Sequence, residues 1–340
     1  MKALVLHGPG DYRIHPDWHD PAVKPGWARV KVTYAGICGS DLLRFGSTGS
    51  YRHPMIWGHE FCGVVETPAP DSKLFRGGEP VAILPIMPCG QCPGCRQYGP
   101  FHCQSYGFLG SRDDGGFAEL CLVPEANLFC LPEGLDPRLG AFIEPLAVGL
   151  HVVRRSGFAG SGTALVYGAG AIGLLIALWL RGLGASRVIV ADVREQSLHI
   201  ARQVGFNEVL DPTRNRIETV EQVDFTFEAA GSTQALRDAI RRTHPRGAIT
   251  VVGRNTGDTV IPLDDFERLM RKELTLQACW GYNLRGEEQL LRAALEQGWF
   301  PLTPLITHQV TLDAAPAIIR QMLDRSMFYC KVLIAMEQTV

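Results

Sequence analysis

Four cysteines stand close together in the stretch P-C-G-Q-C-P-G-C-R-Q-Y-G-P-F-H-C: Cys89, Cys92, Cys95 and Cys103. Four thiolates in one Gly/Pro-rich loop can close a tetrahedron around zinc and leave no position for chemistry, which makes such a site structural. The repeated C-x2-C spacing also suits an iron–sulfur cluster, and reduced surface thiols are the plainest alternative. His102 could replace one ligand, though a solvated loop histidine is its more ordinary role.

A second set of metal-type residues is scattered along the chain. Cys38 lies in A-G-I-C-G-S-D, His59 and Glu60 in I-W-G-H-E-F, and Glu144 in A-F-I-E-P-L-A-V-G-L-H. Singly, each is more often structural than a ligand. Jointly they offer sulfur, nitrogen and oxygen donors. A mixed zinc site of that kind keeps one position for water or substrate, the catalytic arrangement. Glu144 is an isolated carboxylate in an apolar run, and a cation is a natural partner for a buried acid. A helix N-terminal glutamate at a domain junction is the alternative reading.

The third chemical feature is a glycine turn. Ala164–Tyr167 is a short apolar run; Gly168, Gly170 and Gly173 follow in G-x-G-x-x-G spacing, with Ile172 between the last two. A helical apolar run and a second strand, Val188–Ala191, lead to Asp192. Strand, tight turn, helix, strand and acid together form a dinucleotide fingerprint. The turn admits the pyrophosphate, the helix N-terminus offers N–H groups, and the acid meets the ribose hydroxyls. Asp192 favours NAD over NADP by repelling a 2′-phosphate, while Arg194 could meet one. The uncharged stretch 156–180 is long enough to span a bilayer, but glycines crowd its first half and the V-I-V-A-D strand follows.

These residues need elements to hold them. Up to about residue 145 the chain reads as short strands (Ala28–Tyr34, Gly63–Glu66, Val81–Leu84) cut by Gly and Pro, the pattern of an irregular antiparallel barrel. Beyond it, strands and helices alternate: a helix over Glu195–Gly205, strands at Asp224–Glu228 and Ala248–Gly253, a helix over Thr233–Thr243 and a strand at Thr275–Cys279. Alternation implies a parallel sheet covered on both faces. The expected fold class is α/β, with domains at 1–146 and 147–289 and residues 290–340 returning to the first. Gly253, closing a strand, is a place where backbone could pass a nicotinamide. Cys62, Cys121, Cys130, Cys279 and Cys330 lie in apolar stretches and read as buried free thiols, and His151 as a packed core histidine.

At 340 residues the chain can bury two cores, and its net charge of −2 gives no reason to expect nucleic acid or an anionic membrane. The apolar run near Met1 is too short for a signal peptide, so ten cysteines argue for a reducing, cytoplasmic setting.

Taken together, G-I-C-G-S-D, G-H-E, the four-cysteine lobe, D-G-G-F-A-E at 114–119, I-E-P-L-A-V-G-L-H and the glycine turn resemble the zinc-dependent medium-chain dehydrogenase/reductases, the alcohol, sorbitol and threonine dehydrogenase group. The resemblance covers essentially the whole chain. It implies a GroES-like β-barrel catalytic domain plus a Rossmann doubly wound parallel sheet, with the active site in the cleft between them. Catalytic zinc at Cys38, His59 and Glu144 is implied, with Glu60 beside it as an exchangeable ligand or near neighbour. Ser40 matches the hydroxyl that passes the substrate proton outward. Where many relatives carry a histidine just beyond it, Leu42 and Leu43 stand. Also implied are a second, structural zinc, NAD, a homodimer or homotetramer, and oxidation of a secondary hydroxyl on a polyol or polyol phosphate, sorbitol- and threonine-type chemistry being the alternative. Arg44, Arg52 and Arg112 are the candidate partners for a substrate phosphate. A non-enzymatic binding protein on the same fold is the contrasting reading, but such a protein need not keep all the ligands.

Overall fold

A computed structural model describes residues 1–214, 220–255 and 257–336. The chain divides into two compact units, Met1–Glu144 with Ile306–Val340, and Pro145–Leu305. The return to the first unit comes later than the expected residue 290. Helix Glu288–Glu296 is followed by Trp299 and Phe300, whose rings pack edge-on against Trp179. That contact keeps this stretch in the second unit.

The first unit is organised by one long strand, Trp27–Ile37, whose inward residues Ala28, Val30 and Val32 are fully buried. On one edge it pairs antiparallel with Glu60–Thr67. On the other edge its first half pairs with Leu120–Pro124 and its second half with Lys331–Ala335. Because both neighbours of the second half run antiparallel, the C-terminal end of the central strand lies beside two N-terminal ends. Gly36 is opposite Glu60, and Ile37 is opposite Val332. Cys38, Glu60 and Lys331 are therefore gathered at one end of the sheet by register alone. Phe45, Trp57 and Phe117 belong to the same core as the inward residues of the central strand, with Phe45 stacked on Phe117 at 6.4 Å.

The second unit has a six-stranded parallel sheet in the order Val209–Leu210, Arg187–Ala191, Thr163–Tyr167, Val223–Glu228, Thr243–Val251, Thr275–Ala278. Numbered along the chain this is 3-2-1-4-5-6, the doubly wound dinucleotide order. The order reverses beside Thr163–Tyr167, and the glycine turn leaves the carboxyl end of that strand. The stretch 156–180 is thus divided between a strand and the helix Ala171–Gly182. Among the described residues no helix is long and apolar enough to cross a membrane.

Two of the thiols expected to be buried are not. Cys130 is exposed, and Cys330 is half-buried. Cys130 ends the short outer strand Leu128–Cys130, paired on one edge only, and Cys330 precedes the strand that begins at Lys331. Cys62, Cys121 and Cys279 are buried as expected, while His151 is only partly covered.

Candidate active site

Cys38 is the N-cap of a short helix, Gly39–Leu43. Its N–H donates to Asp41 Oδ2 at 2.9 Å, and the Ser40 hydroxyl donates to Cys38 Sγ at 3.3 Å. Gly58 aims the next donor. It sits at φ +94°, and a Cβ there would strike the Phe117 ring, so only glycine makes the bend that delivers His59. Cys38, His59 and Glu60 have ligand atoms that all lie within 4.8 Å of one another.

Asp41 is fully buried and serves three groups. Besides Cys38 N–H, it accepts Trp57 Nε1–H at 2.5 Å and lies 3.1 Å from His59 Nδ1. A carboxylate this close to Nδ1 favours the ring orientation that leaves Nε2 for a metal, although Nδ1 makes no well-aligned hydrogen bond here. Burial works against protonating His59, but Asp41 and Cys38 outweigh burial and hold it well above the ordinary imidazole range. Glu144 is buried too, although it falls outside the group of three. The segment Pro137–Phe142 packs on Glu60–Thr67 and Trp27–Ile37 and carries Glu144 to the same end. Burial pushes its carboxyl up to about 7, against the pull of His59 and Lys331. An acid so placed is stabilised by a cation, and sulfur, imidazole and carboxylate together are a donor set suited to zinc.

Two residues at this site were not singled out from the sequence. Asp41 was legible, lying three residues after Cys38 where a short acidic side chain caps a helix. Lys331 is a lone lysine opening an apolar run, C-K-V-L-I-A. It is 4% exposed, and its Nζ donates to Glu60 Oε2 at 2.5 Å. Burial opposes its charge, yet Glu60 and Cys38 raise its pKa above the usual lysine value.

The four cysteines form a separate group. Cys92 Sγ lies 3.5 Å from Cys95 Sγ, and Cys89 Sγ 3.9 Å from it. Bonds of about 2.3 Å to a central zinc give a regular tetrahedron with edges of about 3.8 Å, and these distances bracket that value. Backbone N–H groups also point at the sulfurs: Cys95 N–H at Cys92, Cys89 N–H and Ser105 N–H at Cys103. The N–H groups of Gln104 and Cys95 draw the Cys92 thiol down to about 6. His102 is exposed on this loop.

In the second unit, Gly168 has φ +95°, and a Cβ there would meet the backbone of Ala229 and Ala230. At Gly173 a Cβ would strike the Gly168 carbonyl, so the helix packs directly on the turn. Nothing stands within 4 Å of a Cβ on Gly170, the N-cap of the helix that holds Ile172. The space in front of the turn is open, as a phosphate requires. Asp192 is buried at its mouth, accepting Ala169 N–H and Arg194 N–H, both at 2.8 Å, with Arg194 Nε at 3.4 Å. Gly253 lines a cavity of 350 Å³ with Glu228, Ser232 and Arg254.

The three arginines divide. Arg44 and Arg112 both lie over the exposed Tyr51 ring, at 4.9 and 4.4 Å, and Arg44 also donates to the Tyr51 hydroxyl. Arg52 is paired with Asp114 at 2.9 Å.

Comparison with known proteins shows the family. Residues 24–133 match the alcohol dehydrogenase GroES-like domain, and residues 171–297 match the zinc-binding dehydrogenase family. The chain belongs to the zinc-binding alcohol dehydrogenases, oxidoreductases acting on CH–OH groups, and the GroES-like and Rossmann folds expected from the sequence are those of the family. It is 31% identical to galactitol 1-phosphate 5-dehydrogenase of Escherichia coli K12, over 96% of this chain and 98% of that one. The crystal structure of galactitol-1-phosphate dehydrogenase from Escherichia coli superposes with a TM-score of 0.92 at 30% identity, covering 98% and 100% of the two chains. Sorbitol dehydrogenase of Arabidopsis thaliana is 30% identical over 85% of this chain and 82% of its own. A Sinorhizobium meliloti 1021 protein solved with NADP bound matches at TM-score 0.90 and 28% identity, covering 98% of each chain.

Proposed function

We propose that the chain is an NAD-dependent dehydrogenase oxidising a secondary hydroxyl of an open-chain polyol or polyol phosphate to the ketose form. In this reading Cys38, His59 and Glu144 hold a catalytic zinc, with Glu60 beside it, and Cys89, Cys92, Cys95 and Cys103 hold a structural one. The observation that carries it is the convergence of Cys38, His59 and Glu60 at one end of the sheet, with a buried Glu144 brought to the same end. When bound, zinc supplies a Lewis acid that makes a hydroxyl more acidic, and NAD supplies the hydride acceptor.

The chain's own residues do the rest. Asp41 orients His59, and the Ser40 hydroxyl, exposed beside Cys38, takes the substrate proton toward solvent. The turn at Gly168–Gly173 receives the pyrophosphate. Asp192 accepts the ribose hydroxyls and repels a 2′-phosphate, which supports NAD over NADP. Arg194 is held against Asp192. Gly253, in the cavity wall, lets backbone lie close to the nicotinamide. Because the Sinorhizobium relative was solved with NADP, both cofactors should be assayed; equal catalytic efficiency would refute the preference.

The phosphorylated substrate is supported by Arg44 and Arg112, which both lie over the exposed Tyr51 ring; each guanidinium is a planar fork of donors that suits phosphate oxygens. Arg52, committed to Asp114, is the weaker partner. The deciding assay is turnover on galactitol 1-phosphate against galactitol, sorbitol and L-threonine. The reading expects the phosphate ester to be favoured; equal rates on free and phosphorylated polyols remove the phosphate, and activity confined to threonine removes the polyol.

The chain is also proposed to form a homodimer or homotetramer. Thr275–Ala278 is the outer strand of the parallel sheet, largely exposed, and Trp280 just beyond it is 65% exposed. An unpaired edge bordered by apolar side chains favours pairing with a second copy. A monomer by light scattering at micromolar concentration would contradict it.

A further inference from the structure

The second unit holds a cavity that neither the glycine turn nor the metal-type residues use. It measures 470 Å³ and lies at the amino ends of the strands Val223–Glu228, Thr243–Val251 and Thr275–Ala278. The glycine turn leaves the opposite, carboxyl end of the sheet, where doubly wound folds hold their dinucleotide. The cavity is therefore a different place, and its volume is within the range of small-molecule pockets, about 300–1,000 Å³. Arg155, His244 and Arg246 line it, with Asp224, Phe225 and Gln277.

We propose that this cavity is a second ligand site, and that it binds a small organic phosphate. The stretch H-P-R-G at 244–247 is an excursion within a strand: Val223 is opposite Thr243 and Phe225 opposite Ala248, so Asp224 alone faces four residues. Such bulges re-aim side chains. The excursion is packed down firmly, since a Cβ on Gly247 would come within 2.6 Å of the Asp224 carbonyl oxygen. Arg246 stands at φ +65°, in the left-handed region where glycine is free of strain and arginine is not. A strained residue with a charged side chain at the rim of a cavity points to a ligand. Its guanidinium is 3.7 Å from the Glu273 carboxylate, both groups being exposed, a loose pair that holds little. Arg155 ends the helix Ile143–Arg155 and makes no ion pair among the described residues. The one carboxylate in the wall, Asp224, already gives Oδ2 to the Thr163 N–H at 2.8 Å and to the Thr163 hydroxyl at 2.9 Å. The helix Thr233–Arg242 ends just before the excursion, and a helix C-terminus repels an anion. Here the Lys272 ammonium covers that end, donating to the Arg241 and Thr243 carbonyls at 2.8 Å and to the Ile240 carbonyl at 3.3 Å. Two guanidinium forks and an imidazole suit phosphate oxygens, and Phe225 and Pro245 supply apolar wall for an organic part.

The test is calorimetric titration of the full-length protein with phenyl phosphate and with inorganic phosphate. NADH is kept in excess to fill the glycine turn, and the protein carries Arg44→Gln and Arg112→Gln to remove the phosphate partners proposed for the substrate. Phenyl phosphate should bind saturably and more tightly than inorganic phosphate. Adding Arg155→Gln and Arg246→Gln should weaken it by about 10-fold or more, the loss expected for charge-assisted hydrogen bonds. Arg246→Gly keeps the test open should that protein fail to fold: glycine suits the left-handed backbone, so its Tm should match or exceed the parent's while phenyl phosphate binding weakens. Absence of saturable binding overturns the proposal, as does binding that survives the loss of Arg155 and Arg246 or is unchanged in Arg246→Gly. Inorganic phosphate bound as tightly as phenyl phosphate would show an adventitious ion only, and would overturn it too.

Discussion

The four-cysteine loop and the Cys38–His59–Glu60 group are sets of metal-type side chains in the same unit, built in opposite ways. The loop takes all its donors from one short stretch, repeats one residue type, and supports its sulfurs with nearby backbone N–H groups. The mixed group draws donors from separate segments, brings them together by strand register, and surrounds them with Asp41, Trp57 and Lys331. The first geometry is closed and can only brace the chain. The second spends buried charges to hold unlike donors in place, an arrangement that makes sense where one position must stay open to substrate.

The sharpest way to break this contrast is to remove one donor from the loop. Cys92→Ser should cost stability before it costs chemistry, since structural zinc contributes folding free energy outright. A loss of several kcal/mol, roughly 10 °C or more in Tm, is expected, together with loss of one zinc. Turnover per folded molecule should stay near normal. Thermal melts with metal analysis check it, and a stable Cys92→Ser protein that has lost turnover would exchange the two assignments.

Next in size is Asp41→Asn. It keeps the shape of Asp41 but removes the charge facing His59, so metal affinity or kcat should fall by about 10- to 100-fold while Tm changes little. Chelator titration and steady-state kinetics measure the two effects separately.

The smallest effect comes from a control away from both metal groups. Asp265 is fully buried in the second unit and accepts from Arg237 at 2.8 Å and Arg241 at 2.7 Å. Burial opposes its charge, but the two arginines outweigh burial and hold its carboxyl below the usual range. A depressed carboxyl stabilises the fold above its unfolded value, about 4, and that contribution is lost as pH falls through the folded value. Asp265→Asn should cost on the order of 2 kcal/mol at neutral pH and flatten the acid limb of the stability curve. Zinc content should not move. Urea melts across pH 3 to 7 test this and separate general instability from metal loss.

How far the sequence foretold each region depends on how each is built. The cysteine loop was legible because its ligands are neighbours in the chain. The glycine turn was legible for the same reason: strand, turn, helix and Asp192 are contiguous, and the 3-2-1-4-5-6 sheet grows out of alternation. Cys38, His59 and Glu144 could be named only by resemblance, since no spacing rule links them. Lys331 was invisible because its meaning depends on Val332 pairing with Ile37, a contact across most of the chain. Cys130 was misjudged because apolar neighbours do not reveal which strand is outermost, and Cys330 because they do not reveal where a buried strand begins. Arg44 and Arg112 could be named as candidates, but not that they share Tyr51, which lies in a loop between them.

The central claim is that the mixed group is the catalytic metal site and the cysteine loop is not. Zinc content, Tm and NAD reduction with galactitol 1-phosphate should be measured side by side for the parent and Cys38→Ser, on a substrate the parent turns over. The parent should hold about two zinc ions per chain. Cys38→Ser should hold about one, melt close to the parent and lose turnover. A Cys38→Ser protein that keeps normal turnover would contradict the account at its centre.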